Sequence, residues 1–216
     1  MILTAGLPSR FTPEELRTAA FLTYDHHALY EERSCFLAPE QSVEMLTPGC
    51  IAPGDGKNVL LWGDSHAAHL AFGLRQALPS ATVMRASMAQ CLPYDSFGQT
   101  ERCVAFNRSM LALIRRQQPD IVIVSANWAH ELAIPAVSAG LMTMINAITD
   151  AGSKVVVIGP SPQYDHVVPR IIVAASHFGA RTDGRLLPFL RETDRGLRRQ
   201  LKDVPKVEYV SLLALM

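Results

Sequence analysis

The chain has 216 residues, with 20 basic and 20 acidic side chains and therefore no formal net charge. Hydrophobic residues make up 49% of it and charged residues only 19%, a composition too apolar for a disordered protein. The balanced charge gives no electrostatic footprint for a nucleic-acid partner, and no apolar run approaches the roughly 18 residues of a membrane span. These properties predict one main domain with its own hydrophobic core.

The first part of the chain differs from the rest. Residues 12–15 (Thr-Pro-Glu-Glu) are typical of a helix start, because a threonine cap precedes a proline and a capping-box glutamate. The predicted helix runs to about Tyr30, and a proline-containing loop then leads to the turn signal Pro-Gly-Asp-Gly at 53–56. We therefore divide the chain into an N-terminal helical and loop extension, residues 1–57, and a main α/β domain, residues 58–216.

Strands and helices alternate in the main domain. Strands are predicted at 58–62, 81–85, 120–125, 154–159 and 207–212, and helices at about 66–78, 103–118, 136–151 and 188–202. The segment after the fourth strand is predicted to be a long loop, because it contains Pro160, Pro162 and Pro169. This alternation indicates a parallel sheet covered on both faces. In the order 2-1-3-4-5 the first and third strands are neighbours, and their carboxyl ends form a crevice.

The sequence Gly63-Asp64-Ser65-His66 joins the first strand to its helix. Gly63 permits a tight turn, and Ser65 would lie at the helix N-terminus, where backbone N–H groups favour negative charge. That position suits a serine nucleophile whose attack creates an oxyanion. The alternative is that Asp64 and Ser65 only cap the helix.

A second candidate follows the third strand, in Ser125-Ala126-Asn127-Trp128. With the first and third strands adjacent, Asn127 would face Ser65 and donate its side-chain amide to an oxyanion. The alternative is that Asn127 is a turn residue or a helix cap.

Gly63-Asp64-Ser65-His66 together with Asn127 resembles the SGNH (GDSL-like) hydrolase superfamily. The chain is more specifically similar to the SGNH domain fused to membrane acyltransferase-3 proteins, which O-acetylate bacterial surface polysaccharides. The similarity covers most of the chain, through LPSRF at 7–11, YDHH at 24–27, CFL at 35–37, LLWGDSHAAHL at 60–70, CLP at 91–93 and SANWA at 125–129. It implies a flavodoxin-like three-layer α/β/α sandwich. It also implies that Ser65 is the nucleophile and an oxyanion donor, that Asn127 is the oxyanion amide, and that Gly63, Asp64 and His66 form a supporting motif.

The resemblance implies serine-dependent transfer of an acetyl or other acyl group to or from a cell-surface polysaccharide. The implied partners are an acyl donor, a saccharide acceptor and an acyltransferase-3 membrane domain in the same full-length chain, at the periplasmic face of the bacterial inner membrane. No cofactor and no metal is implied. The alternatives are a carbohydrate esterase and a non-catalytic glycan-binding or docking module, for which Trp62, Tyr94 and Trp128 would offer sugar-stacking faces. A metal site built from Asp64, His66 and His69 is a weaker alternative.

Four cysteines, at 35, 50, 91 and 103, allow three disulfide connectivities. Sequence neighbours pair most simply, as Cys35–Cys50 and Cys91–Cys103, whereas the alternative is four reduced thiols. Disulfides require an oxidising compartment. The N-terminus lacks a signal peptide, and the resemblance therefore implies that upstream transmembrane segments direct export.

Two features depart from the family. The loop at 86–91 lacks the glycine from which the family usually supplies another oxyanion donor. The family's catalytic DxxH motif after the fifth strand is also missing, because the sequence ends on that strand at Met216. We therefore expect a C-terminal truncation, with the catalytic histidine beyond the end of these residues. The histidines at 26, 27, 66, 69, 130, 166 and 177 are each interpreted as surface or structural residues, so that residues 1–216 alone would be weakly active or inactive.

Overall fold

The computed structural model describes residues 8–94, 99–128, 135–182 and 184–216, and the side chains of 135–137 lie outside that description. The chain folds as two compact units, Met1–His26 with Pro162–Pro188 and His27–Ser161 with Phe189–Met216. All the described strands belong to the second of these units. The division between residues 57 and 58 stays a prediction from sequence.

The strands are β1 (Phe36–Leu37), β2 (Lys57–Gly63), β3 (Ala81–Met88), β4 (Ile121–Ser125), β5 (Lys154–Ile158) and β6 (Val207–Val210). The α-helices are α1 (Pro13–Ala20), α2 (His26–Tyr30), α3 (Ser65–Ala68), α4 (Ala71–Ala77), α5 (Glu101–Gln117), α6 (Pro135–Asp150), α7 (Val168–Phe178) and α8 (Phe189–Leu201). A short 3-10 helix, Leu212–Leu215, follows β6.

The sheet is parallel throughout, with the strand order β1-β3-β2-β4-β5-β6. Strands β2 to β6 are the five predicted strands, and they follow the predicted order 2-1-3-4-5. The α/β class is confirmed. The difference is an additional edge strand, β1, in which Phe36 pairs with Ser87 of β3. A strand of two residues carries no periodic pattern, so the sequence does not indicate it.

Alternate residues of strands β2 to β6 face two separate apolar layers. One layer contains Trp62, Met84 and Val124 and is covered by α5, α6 and α8. The other contains Leu61 and Ile123 and is covered by α3 and α4. Helices on both faces of a parallel sheet give the three-layer sandwich that was expected.

Three helix predictions need correction. The predicted helix at 66–78 is two short helices, α3 and α4. The predicted helix that runs to Tyr30 is interrupted by a 3-10 turn at Phe21–Thr23. The predicted loop after β5 contains α7, in which Pro169 lies in the first turn, where proline removes no intrahelical hydrogen bond.

Both expected disulfides are formed, Cys35–Cys50 and Cys91–Cys103. The first lies beside β1, and the second joins the loop after β3 to the first turn of α5. Among the described residues, none of the helices combines the length and the apolar character needed to cross a membrane.

Candidate active site

The candidate site begins where β2 and β4 end side by side. Gly63 is in register with Ser125 of β4 and with Ser87 of β3. A Cβ atom on Gly63 would lie 1.7 Å from the Ser125 carbonyl oxygen. Position 63 must therefore be glycine for the chain to pass so close to β4 before it enters α3.

Asp64 joins the two strand ends. It caps α3, and its Oδ1 accepts a hydrogen bond from the His66 N–H at 2.7 Å. Its Oδ2 accepts a hydrogen bond from the Asn127 N–H at 2.9 Å. The carboxylate is buried, with only 3% of the residue exposed. The cap preference of aspartate predicts the first bond, but no local pattern indicates the second, which spans two distant parts of the chain.

Ser65 is the first residue of α3 and is half-buried. The N–H groups of the next three residues, His66 to Ala68, all donate to Asp64. The Ser65 N–H has no acceptor within the described part of the chain, as is usual for the first helical position. Because α3 has only four residues, any stabilisation of negative charge here comes from individual N–H groups rather than from a long helix dipole.

Asn127 is exposed between two buried residues, Ala126 and Trp128. The indole of Trp128 donates to the Ile158 carbonyl at 2.7 Å, and this bond anchors the segment to β5. Together with the bond from its own N–H to Asp64, this anchoring fixes the Asn127 backbone at the carboxyl end of the sheet. Ser65 and Asn127 thus follow adjacent strand ends that Asp64 holds together.

The aromatic residues considered for sugar stacking are core residues. Trp62, Tyr94 and Trp128 are each at most 2% exposed. Their rings are therefore not available to stack on a saccharide in this conformation.

The histidines near Ser65 are half-buried. Burial lowers the pKa of His66 and that of His69, so both are neutral at pH 7. The backbone N–H of His69 donates to the Ser65 carbonyl at 3.1 Å, and the centroids of the His66 and His69 rings are 6.0 Å apart. Among the described residues, no hydrogen bond joins the Ser65 hydroxyl to a histidine, and no three metal-binding side chains come together.

Two other histidines follow strand ends in the sequence, His130 after the third predicted strand and His166 after the fourth. His166 is exposed beside Asp165 and belongs to the smaller unit. His130 lies outside the described residues.

The loop after β3 forms a turn beside α3. The Cys91 N–H donates to the Met88 carbonyl at 3.1 Å, and Gln90, the third residue of this turn, has a φ of 61°. Glycine favours that conformation, although residue 90 is a glutamine. Ala89 packs in one cluster with Ala68 of α3, so the turn lies next to the helix that Ser65 begins.

Comparisons with known proteins give the family and the fold of the chain. The sequence matches the family described as SGNH domain (fused to AT3 domains) over residues 34–216. The lipopolysaccharide acetyltransferase periplasmic domain of Salmonella ser. Paratyphi A has a similar fold, with a TM-score of 0.67 and 23% identity over 86% of this chain and 76% of that chain.

Two further solved structures match with lower TM-scores. A carbohydrate acetylesterase family member from Sinorhizobium meliloti has a TM-score of 0.47 and 14% identity over 72% of this chain and 82% of that chain. TesA has a TM-score of 0.38 and 18% identity over 68% of this chain and 98% of that chain. No curated protein sequence matches the chain. The match over residues 34–216 shows that the chain belongs to the family of SGNH domains that are fused to AT3 domains.

Proposed function

We propose that this domain catalyses serine-dependent acyl transfer to or from a bacterial surface polysaccharide, with Ser65 as the nucleophile. The observation that carries the proposal is the pair of hydrogen bonds through which Asp64 holds the start of α3 to Asn127. A capping role alone would need only the first of these bonds. The second fixes an exposed amide-bearing residue beside the candidate nucleophile.

In the proposed reaction, the Ser65 Oγ attacks the carbonyl carbon of an acyl donor while its proton passes to a base. The tetrahedral intermediate then expels the donor's leaving group and leaves an acyl-serine ester. A saccharide hydroxyl attacks this ester, its proton returns through the base, and the serine hydroxyl is restored. When water attacks instead, the same site acts as an esterase.

Three groups would stabilise the oxyanion of the intermediate. They are the N–H of Ser65, the side-chain amide of Asn127 and the N–H of Gln90 in the turn after β3. Hydrogen-bond donors held in place before the reaction stabilise the transition state without reorganising, and one such donor contributes about a hundredfold or more to kcat.

Family membership supports the proposed setting. The family is described as fused to AT3 domains, and the similar Salmonella structure is a periplasmic domain of a lipopolysaccharide acetyltransferase. Two disulfides also suit an oxidising compartment. We therefore assign this domain to the periplasmic face of the inner membrane, where an acyltransferase-3 domain of the same full-length protein would supply the acyl group.

The base is assigned to a histidine of the DxxH type, a motif that residues 1–216 do not contain. The test therefore uses protein expressed from the complete reading frame of the gene. We expect a fluorophosphonate probe to label the wild type. The control Ser153→Ala should be labelled equally, because Ser153 precedes β5 at the opposite edge of the sheet. Ser65→Ala should abolish labelling, and Asn127→Ala should slow it about a hundredfold.

Labelling that persists in Ser65→Ala would contradict the assignment of the nucleophile, and so would a wild type that is never labelled. Product analysis with an acetyl ester and a glycan acceptor then separates the two chemistries. An acetylated glycan indicates a transferase, and acetate alone indicates an esterase.

A further inference from the structure

The start of α5 binds the carbonyl groups of the loop after β3. Arg102 Nη2 donates to the Ala89 carbonyl at 3.0 Å. One turn later, the buried Asn107 Nδ2 donates to the carbonyls of Leu92 at 2.7 Å and Tyr94 at 2.6 Å. These bonds turn a row of loop carbonyls toward α5.

A disulfide reinforces the same contact. Cys103 follows Arg102 on α5 and is bonded to Cys91, the residue after Gln90. The Gln90 carbonyl also lies 3.7 Å from the Cys103 sulfur. The peptide groups on both sides of Gln90 are therefore held from the α5 side.

This arrangement sets the direction of the Gln90 N–H. The described chain contains no cis peptide bond, and in a trans peptide the carbonyl and the following N–H point in opposite directions. Since the Ala89 carbonyl faces Arg102, the Gln90 N–H points away from α5. Helix α5 covers one face of the sheet and α3 covers the other, so the N–H is directed toward the side on which Ser65 lies.

Arg102 occupies this place at a cost to stability. Its Nη1 is buried and has no hydrogen-bond partner among the described residues. Arg102 also forms no ion pair with the described residues. Its partly buried guanidinium is therefore compensated by one hydrogen bond, to the Ala89 carbonyl. Burial of an unpaired polar or charged group destabilises a fold, and such exceptions are expected chiefly at functional sites.

We propose, building on the function proposed above, that Arg102 is a positioning residue for the oxyanion site. Its guanidinium holds the Ala89 carbonyl, and the peptide that follows presents the Gln90 N–H to the oxyanion formed when Ser65 is acylated. Arg102 acts through the backbone and touches no substrate. Because the oxyanion exists only during the reaction, loss of Arg102 lowers kcat and leaves KM unchanged.

The test compares Arg102→Met, Arg102→Lys and the control Arg115→Met, which lies on the exposed side of the same helix. All are made in protein from the complete reading frame, and hydrolysis of p-nitrophenyl acetate is measured with the melting temperature. We expect Arg102→Met to lower kcat about tenfold to a hundredfold, below the full loss of an oxyanion donor. KM should stay unchanged and the melting temperature should not fall, because the substitution also removes the buried, unpaired Nη1. Arg102→Lys should recover part of kcat, because lysine can still donate one hydrogen bond. Arg115→Met should behave as the wild type.

An unchanged kcat in Arg102→Met would overturn the inference. A raised KM at constant kcat would also overturn the inference, since that result assigns Arg102 to substrate binding. A lowered melting temperature at constant kcat per folded molecule would overturn it as well, since that result gives Arg102 a purely structural role. If Arg102→Met does not fold, Arg102→Leu, which likewise has no hydrogen-bond donor, decides in the same way. Fluorophosphonate labelling separates this test from that of the proposed function. A labelled wild type with equally fast labelling of Arg102→Met contradicts only the role of Arg102, whereas an unlabelled wild type contradicts both.

Discussion

Asp64 connects the start of α3 to the segment after β4 in the candidate site. Its two carboxylate oxygens bind backbone N–H groups that are 61 residues apart, since they belong to His66 and Asn127. Hydrogen bonds to a buried charged group are stronger than those between neutral groups. Asp64 therefore helps to set the positions of Ser65 and Asn127 relative to each other, although it need not itself react.

Asp64→Asn tests this connection. The substituted amide must present its NH2 group to one of the two backbone N–H groups, so one hydrogen bond is lost and a donor faces a donor. We expect the free energy of unfolding to fall by about 1.5–3 kcal/mol and the rate of fluorophosphonate labelling at Ser65 to fall at least about tenfold.

Asp120→Asn is the matched control, because Asp120 accepts the Asn58 N–H at 2.8 Å at the opposite edge of the sheet. It should leave the labelling rate unchanged. Equal labelling rates in Asp64→Asn and the wild type would show that Asp64 does not position the site.

Gly63 gives a second prediction for a single residue. A methyl group at this position would overlap the Ser125 carbonyl, since the distance of 1.7 Å is far below van der Waals contact. We expect Gly63→Ala to destabilise the protein by more than about 3 kcal/mol, at the upper end of the usual range for point mutations. Denaturant titration followed by tryptophan fluorescence measures this change.

Gly73→Ala provides the comparison. Gly73 lies in α4, and no heavy atom is within 4 Å of its added Cβ. This substitution should stabilise the protein by up to about 1 kcal/mol, because alanine favours a helix more than glycine does. Similar effects of the two substitutions would contradict the close approach of β2 and β4.

The sequence indicates Gly63, Ser65 and Asn127 because their residue types suit known roles at strand ends. It does not indicate the hydrogen bond between Asp64 and Asn127 or the one between Arg102 and Ala89, because each joins segments that are not adjacent along the chain. The conformation of Gln90 is also unexpected, since a positive φ is usual for glycine and uncommon for glutamine. Tertiary contacts, and not local preference, decide these features.

At the scale of elements, α1 and α7 are joined through one carboxylate. The buried Glu15 accepts hydrogen bonds from the Thr12 N–H at 2.7 Å and from the Ser176 hydroxyl at 2.9 Å. His177 Nδ1 is 3.4 Å from the same carboxylate. The bond from the Thr12 backbone is the largest cause that lowers the pKa of Glu15 below its ordinary value of 4.5.

The lowered pKa of Glu15 determines how its contribution to stability depends on pH. Because the folded protein holds Glu15 ionised more strongly than the unfolded chain does, its contribution to stability is complete above about pH 4.5. The contribution is lost as the pH falls through the lowered pKa. We expect Glu15→Gln to lower the melting temperature of the smaller unit at pH 7 and to have less effect at pH 3, as measured by calorimetry.

Glu14→Gln, on the exposed side of the same helix, should have no effect at either pH. If the difference in melting temperature between Glu15→Gln and the wild type grew as the pH falls, the predicted pH dependence would be wrong.

The elements that the sequence predicts less well are those without a long periodic pattern. The five main strands are short apolar runs, and all five are found. The prolines near α7 led to the prediction of a loop in place of this helix. Gly179 ends the helix with a φ of 65° and is a typical C-terminal signal. The break between α3 and α4 leaves the apolar spacing of Leu70, Leu74 and Leu78 intact, and all three still pack against the same layer.

At the scale of the whole molecule, two disulfides close short loops. Their sequence separations are 15 and 12 residues, and each should stabilise the folded state by about 3 kcal/mol. Protein secreted to the periplasm should give the Cys35–Cys50 and Cys91–Cys103 peptides in non-reducing mass spectrometry. Reduction should lower the melting temperature. Four free thiols, or cross-pairing between the two loops, would contradict these connectivities.

The fold as a whole follows from pattern and handedness. Parallel strands linked by helices have few permitted arrangements, so the order of β2 to β6 was predictable. The edge strand β1 and the grouping of α1 with α7 were not, because both depend on contacts between distant segments. Membership of the SGNH family then gives the site its chemical interpretation.

The central claim is that Ser65 carries the acyl group during the reaction. The most direct measurement mixes p-nitrophenyl acetate with protein from the complete reading frame, quenches with acid within one turnover and maps acetylated peptides by mass spectrometry. We predict an acetyl group on Ser65 that is absent from Ser65→Ala. Continued hydrolysis in Ser65→Ala, or acetylation of another residue in its place, would contradict the account.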